Sequence, residues 1–303
     1  MSRIHEALKR VEQERVADTS GGGAPAAVRT DLPRPQNSSA SGSEAKMPTP
    51  PVSTAPDVEA LLAHCRQLDW NPDSKARFFA KFDNPALGLE EFRTLRTRLY
   101  QLREKQPLKR LLITSGLPKE GKTFVALNLA HVIAHQPGRR VLLVDGDLRG
   151  SSLHTHLGTT LRPGLADYLR EESDEGSIIQ RGESNNFFFI PGGTHVSNSL
   201  ELIANGRLHS LLAHVEDFFD WILIDSPPAV PVADAGILAN VCDGVLMVVR
   251  SGWTPFDIAR KARHSLHDKP LVGAVLNGIE PIGSDSRYYY HAYGKNNRPD
   301  SQG

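Results

Sequence analysis

Residues Gly116–Thr123 read Gly-Leu-Pro-Lys-Glu-Gly-Lys-Thr, the G-x-x-x-x-G-K-[ST] pattern of a phosphate loop. The chemistry this spacing supports is polyphosphate binding, because a tight loop opening a helix aims backbone N–H groups and the positive helix end at one point. Gly116, Leu117, Pro118, Lys119, Glu120, Gly121, Lys122, Thr123 and Phe124 form the candidate nucleotide-binding stretch. Within it, Lys122 is expected to reach the β- and γ-phosphates and the Thr123 hydroxyl to ligate magnesium. Two further segments end in acids: Val-Leu-Leu-Val-Asp145-Gly-Asp147-Leu-Arg149 and Trp-Ile-Leu-Ile-Asp225-Ser-Pro-Pro. In phosphate-loop proteins an acid at a strand end holds magnesium directly or through water, so Asp145, Asp147 and Asp225 are candidates to join Thr123 at a metal. Spacing by two lets Asp145 and Asp147 point the same way if the strand continues through both.

These groups need elements that bring them together. Arg110–Ser115 is a short apolar run before the loop, and 123–135 carries helical spacing at Val125, Leu129 and Ile133 after it. Further strand-like runs are Val141–Asp145, Phe187–Pro191, Trp221–Asp225, Gly244–Val249 and Val272–Leu276. Helical stretches are expected at 164–171, 198–218, 232–240 and 255–267. The alternation predicts an α/β phosphate-loop fold, a mostly parallel sheet with helices on both faces. Ligands in such sheets sit beyond the carboxyl ends of the strands, where all three acids fall.

The 303-residue chain divides by composition. Residues 1–17 read as an amphipathic helix with Ile4, Leu8 and Val11 on one face, which either frays alone or folds on a partner. Residues 18–56, rich in Gly, Ala, Pro, Ser and Thr, read as a disordered linker. Asp57–Leu68 suggests a short helix within a connector over 57–84, with Val58, Leu61, Leu62 and Cys65 on one face. The phosphate-loop domain is expected over 85–285 and a polar, tyrosine-bearing tail over 286–303. Thirty-five basic residues balance 35 acidic ones, which gives no electrostatic argument for a nucleic-acid partner. Two unaccompanied cysteines, Cys65 and Cys242, fit free thiols in a reducing cytoplasm. No run approaches the roughly 18 apolar residues of a membrane span, so a membrane role is expected to come through a partner.

The loop, the Asp-x-Asp-x-Arg strand end and Ile-Asp-Ser-Pro-Pro together resemble the bacterial tyrosine kinases (BY-kinases) of polysaccharide synthesis and export. Arg162-Pro-Gly-Leu165, Ile190-Pro-Gly-Gly193, Asn198-Ser-Leu-Glu-Leu202, Val275-Leu-Asn277-Gly and the terminal tyrosine cluster match as well. The resemblance covers roughly residues 85–294. It implies a fold related to partition ATPases, whose signature lysine is replaced here by Leu117. It also implies autophosphorylation from MgATP on Tyr288, Tyr289, Tyr290 and Tyr293. Lys122, Asp145, Asp147 and Asp225 would carry the chemistry, with Asp145 and Asp225 joining Thr123 to organise magnesium and its waters, Asp147 orienting or deprotonating the incoming hydroxyl, and Asp145 the alternative for that role. Asn277 would contact adenine. Glu90, Arg93 and Arg96 fit the family's E-x-x-R-x-x-R pattern, which implies a homo-oligomeric ring phosphorylating in trans; spacing alone also fits a solvated face with an intrahelical pair. The implied partners are a membrane chain-length regulator as activator and a tyrosine phosphatase, with a cytoplasmic chain recruited to the inner membrane face. A regulatory ATPase without kinase chemistry is the rival class, against which Leu117 and the tyrosine cluster argue.

Overall fold

The computed structural model describes residues 63–72, 88–182, 186–266 and 269–279. All of them belong to one unit, Pro56–Gly303. The helix expected at 1–17, the linker 18–56 and the tail 286–303 lie outside the described residues.

In chain order the elements begin with β1 (Arg66–Gln67), α1 (Leu89–Arg103), β2 (Arg110–Ser115), α2 (Lys122–Ala134) and β3 (Val141–Asp145). Three short helices follow, α3 (Leu153–Leu157), α4 (Leu165–Leu169) and α5 (Glu175–Ile178), then β4 (Gln180–Arg181) and β5 (Phe187–Ile190). The chain continues through α6 (Ser199–Ala204), α7 (Arg207–Val215), β6 (Trp221–Asp225), α8 (Asp234–Asn240), β7 (Gly244–Arg250), α9 (Phe256–Ser265) and β8 (Leu271–Asn277). The strands form one sheet in the order β1-β4-β5-β3-β6-β2-β7-β8. From β5 to β8 all neighbours are parallel. Only at β4 does the direction reverse, antiparallel to β5, and β1 follows β4 in parallel.

The central strands are apolar at consecutive positions because both of their faces are covered. On one face Leu111, Ile113, Leu143 and Leu223 pack with Val125, Leu129 and Ile133 of α2. On the other, Leu112, Leu142, Ile222 and Ile224 pack with Leu208, Leu211 and Leu238. Each fully buried leucine or isoleucine contributes about 1.5–3 kcal/mol of transfer free energy, so the middle of the sheet is its most strongly held part. Register then sets the site. Asp145 lies directly opposite Asp225, and Ile113, three residues before the first glycine of the loop, lies opposite Asp225 on its other side.

Two expectations need correction. Of the connector expected over 57–84 only residues 63–72 are described, and there Arg66–Gln67 form an edge strand, with Arg66 N donating to Ile179 O at 2.9 Å. Cys65 is buried in the core and Trp70 meets Phe187 edge-on at 5.3 Å, so this stretch is built into the α/β unit ahead of residue 85. The helix expected over 198–218 is broken into α6, α7 and a 3-10 turn (Glu216–Phe218). Gly206, at φ 85°, turns the chain out of the helix, and Asn205 Oδ1 accepts the Arg207 N–H at 2.9 Å to restart it.

Candidate active site

The phosphate loop joins β2 to α2 through a left-handed glycine. Gly121 has φ 98°, and a Cβ there would lie 2.0 Å from Asn277 Nδ2, so a side chain is excluded twice over. Asn277, at the end of β8, donates from Nδ2 to Glu120 O at 2.9 Å. Beside it opens a cleft of about 510 Å³ lined by Lys119, Phe124, Leu127, His156, Arg250 and Gly278, a volume in the range of small-molecule sites.

The acids converge on the start of α2. Lys122 Nζ lies 3.3 Å from Asp147 Oδ2 and 3.3 Å from Thr123 Oγ1. β3 ends at Asp145, as the apolar run Val141–Asp145 predicts, and does not continue through Asp147. Asp147 sits instead in a turn, its N–H bonded to Asp145 Oδ1 at 3.2 Å and its own Oδ1 accepting Gly150 N at 3.0 Å. The turn nevertheless delivers both acids to one place. Asp145 Oδ2 accepts the Ser151 hydroxyl at 2.6 Å and Leu153 N at 3.3 Å. Asp225 Oδ1 is buried without a hydrogen-bond partner.

Charge explains the tension. Burial, then neighbouring Asp225, pushes the Asp145 carboxyl up to about 7, against the Ser151 bond. Burial also pushes Asp225 up to about 6, although Lys122 and a hydrogen bond from Thr123 oppose it. Burial draws the Lys122 ammonium down, but Asp225, Asp147 and Asp145 outweigh it and leave its pKa above the ordinary value. Among the described residues no three His, Cys, Asp or Glu side chains form a metal cluster. What the site offers is a hydroxyl, two crowded acids and one unpartnered carboxylate oxygen, a donor set that fits a hard cation sharing its shell with phosphate and water.

Glu90 and Arg93 pair on the exposed face of α1, while Arg96 turns inward and its guanidinium donates to Val132 O near the end of α2 at 2.5 Å. Tyr288, Tyr289, Tyr290 and Tyr293 lie outside the described residues. Sequence reasoning took Glu120 only as part of the loop and passed over Ser151, Thr254 and the Arg149–Asp234 pair, bonded at 3.0 and 3.3 Å, with the Ser199 hydroxyl donating to Asp234 Oδ2 at 2.6 Å. Serine and threonine hydroxyls carry no spacing signal. The Asp-x-Asp-x-Arg pattern does contain Arg149, and Asp234, wholly buried, anchors it.

A parallel sheet, a glycine-pinned loop opening a helix and acids at two adjacent strand ends define a nucleotide-binding phosphate-loop protein. An AAA domain family matches residues 119–254. Tyrosine-protein kinase YwqD of Bacillus subtilis is 34% identical over 208 residues, 68% of this chain and 87% of YwqD. Putative tyrosine-protein kinase EpsB of Ralstonia nicotianae is 34% identical over 229 residues, but the matched part is 30% of EpsB. The solved kinase domain of Escherichia coli tyrosine kinase ETK superposes with a TM-score of 0.65 at 31% identity, covering 71% of this chain and 85% of that one. The chimerical protein CapA2B2 gives a TM-score of 0.63 at 26% identity, with 75% and 99% covered. The chain belongs to the bacterial tyrosine-protein kinase family, and its activity is that of a protein-tyrosine kinase. Among the described residues, no helix is long and apolar enough to cross a membrane.

Proposed function

We propose that the protein is an ATP- and magnesium-dependent autokinase that phosphorylates its own tyrosines 288, 289, 290 and 293 in trans, in the control of polysaccharide synthesis and export. The observation that carries this reading is the pairing of Lys122 with Asp147 at 3.3 Å beside the unpartnered Oδ1 of Asp225. Thr123 and Asp225 would hold magnesium, with Asp145 acting through water because both of its oxygens are already engaged. Bound magnesium supplies charge neutralisation at the transferring phosphoryl group. Lys122, drawn to the phosphates, leaves Asp147 Oδ2; that oxygen is then free to orient the tyrosyl hydroxyl and take its proton. The loop's N–H groups and Lys122 hold the polyphosphate in line, so positioning and electrostatics carry the reaction. Asn277 and the adjoining cleft are the proposed seat of adenine.

The family resemblance further supports a homo-oligomeric ring through Glu90 and Arg93, a membrane chain-length regulator that recruits the chain to the inner membrane face, and a tyrosine phosphatase that reverses the modification. Arg96, bonded to Val132 O, would have to exchange that bond to join such an interface. Incubating the full chain with MgATP and mapping phosphopeptides tests the core of the proposal. Phosphotyrosine on the four tail residues, lost in Lys122→Met, is the expected result. An unmodified tail with phosphate appearing on other proteins would reject the autokinase reading.

A further inference from the structure

The phosphate loop carries an acid of its own, and that acid faces backwards. Glu120 lies between Lys119 and Gly121 yet is 1% exposed. Its Oε2 accepts the Leu117 backbone N–H at 2.8 Å, and its Oε1 accepts the hydroxyl of Thr254, 134 residues further along. Thr254 Oγ1 in turn accepts the Arg250 N–H at 3.0 Å. The same turn after β7 reaches the loop again where the Arg250 guanidinium donates to Lys119 O at 3.5 Å. Glu120 is therefore held behind the loop by one local bond and one long-range bond, while Lys122 and the helix start face the acids in front.

The orientation has a consequence for an anion. A carboxylate turned forward at this position would stand among the phosphates, where like charge opposes binding. A carboxylate turned backward needs donors, since a buried charged oxygen left unpaired is costly. The loop supplies one donor, the Leu117 N–H, and Thr254 supplies the other.

We propose that Thr254 and Glu120 form a latch that keeps the loop's own carboxylate out of the phosphate cradle, making Thr254 a positioning residue for nucleotide binding. The latch rests on the loop being the nucleotide site. It also joins that site to the surface turn carrying Trp253, 47% exposed, so the loop's competence depends on how that turn is held. Loss of the Thr254 hydroxyl leaves Oε1 without its donor, so the carboxylate is no longer held behind the loop. A neutral glutamine at 120 would carry no such penalty wherever it pointed.

The test is equilibrium titration of the full chain with fluorescently labelled ADP and magnesium, at low and high salt. Wild-type binding that disappears in Lys122→Met establishes the site; absence of wild-type binding overturns the nucleotide reading and the latch with it. Thr254→Val is expected to weaken binding about tenfold, the size of one charged hydrogen bond lost. Thr254→Ser should bind as wild type, and Glu120→Gln in the Thr254→Val background should recover affinity to within about twofold. The defect should also shrink with salt, because it is a repulsion between exposed charges. Glu120→Asp, whose shorter arm cannot reach Thr254, should weaken binding similarly and serves if Thr254→Val does not fold. Wild-type affinity in Thr254→Val or Glu120→Asp, even with a lowered melting temperature, overturns the latch. Failure of glutamine to rescue overturns it too.

Discussion

Asp145 and Asp225 end neighbouring strands at one level of the sheet, both buried, yet they are furnished differently. Asp145 receives three protein donors spread over both oxygens: Asp147 N, Ser151 Oγ and Leu153 N. Asp225 keeps Oδ1 bare. The turn after β3 folds back over its own acid, whereas Pro227 and Pro228 follow β6 and Thr114 Oγ1 donates to Pro227 O at 3.1 Å, leading that chain away. Asp145 is held by the backbone of the turn that follows it and by the Ser151 hydroxyl, whereas Asp225 keeps one buried oxygen unpartnered. The same residue type at the same strand position is thus furnished differently, and the difference is written in the turns that follow.

Several measurements break or sharpen this contrast. Lys122 faces both acids, so Lys122→Met should have the largest effect, roughly a thousandfold fall in tail phosphorylation with the fold retained. Quantitative phosphotyrosine immunoblotting beside circular dichroism checks it; activity within tenfold of wild type would remove Lys122 from the chemistry. Next, Asp225→Asn should cut phosphorylation about a hundredfold and raise the magnesium requirement at least about tenfold. Asp145→Asn should cost about tenfold with little change in that requirement. Equal magnesium midpoints in the two variants would dissolve the distinction.

Metal-free stability should rank the pair the other way. Asp145→Ala strands a hydroxyl and two backbone N–H groups, and is expected to cost about 2 kcal/mol more than Asp225→Ala in urea unfolding without nucleotide. A second stability effect, outside the contrast itself, lies at the far end of α2. Burial, then His135, pulls His131 down to about 4. The unfolded chain therefore binds a proton that the folded chain refuses, and stability from this group is lost as pH falls below about 6.5 toward 4. Wild type should lose about 2 kcal/mol relative to His131→Gln between pH 7.5 and pH 5. Parallel pH curves for the two proteins would refute the assignment. Because His131 sits a helix length from the acids, His131→Gln should leave the Asp145–Asp225 contrast unchanged.

What the sequence made legible follows the physics of burial. β2, β3 and β6 are covered on both faces, so they read as unbroken apolar runs ending in marked residues. The loop was legible because polyphosphate binding demands glycine and lysine at fixed spacing. Gln180–Arg181 and Arg66–Gln67 were not, because two polar residues become strands through what surrounds them. Gln180, fully buried, is bonded through its amide to Thr159 and Thr160. The latch at Glu120 was invisible for another reason: its two halves come from distant parts of the chain, and only the parallel sheet brings the end of β7 behind the end of β2. The register that sets Asp145 opposite Asp225 is likewise a property of the pairing, though each acid was legible alone. Arg96 was read as an interface residue from its pattern, and its bond to Val132 O shows that the same side chain also closes the end of the nucleotide helix.

The order of strands also gives the molecule a direction. β1, reached from the N-terminal side, forms one border of the sheet, and β8, which leads to the tyrosine-bearing end, forms the other. Seven interstrand gaps of about 4.8 Å separate them, roughly 34 Å across the sheet. A partner bound along β1 therefore sits at the border remote from the one formed by β8. The two borders are opposite flanks of a single wall, so contact at one leaves the other a full sheet's width away.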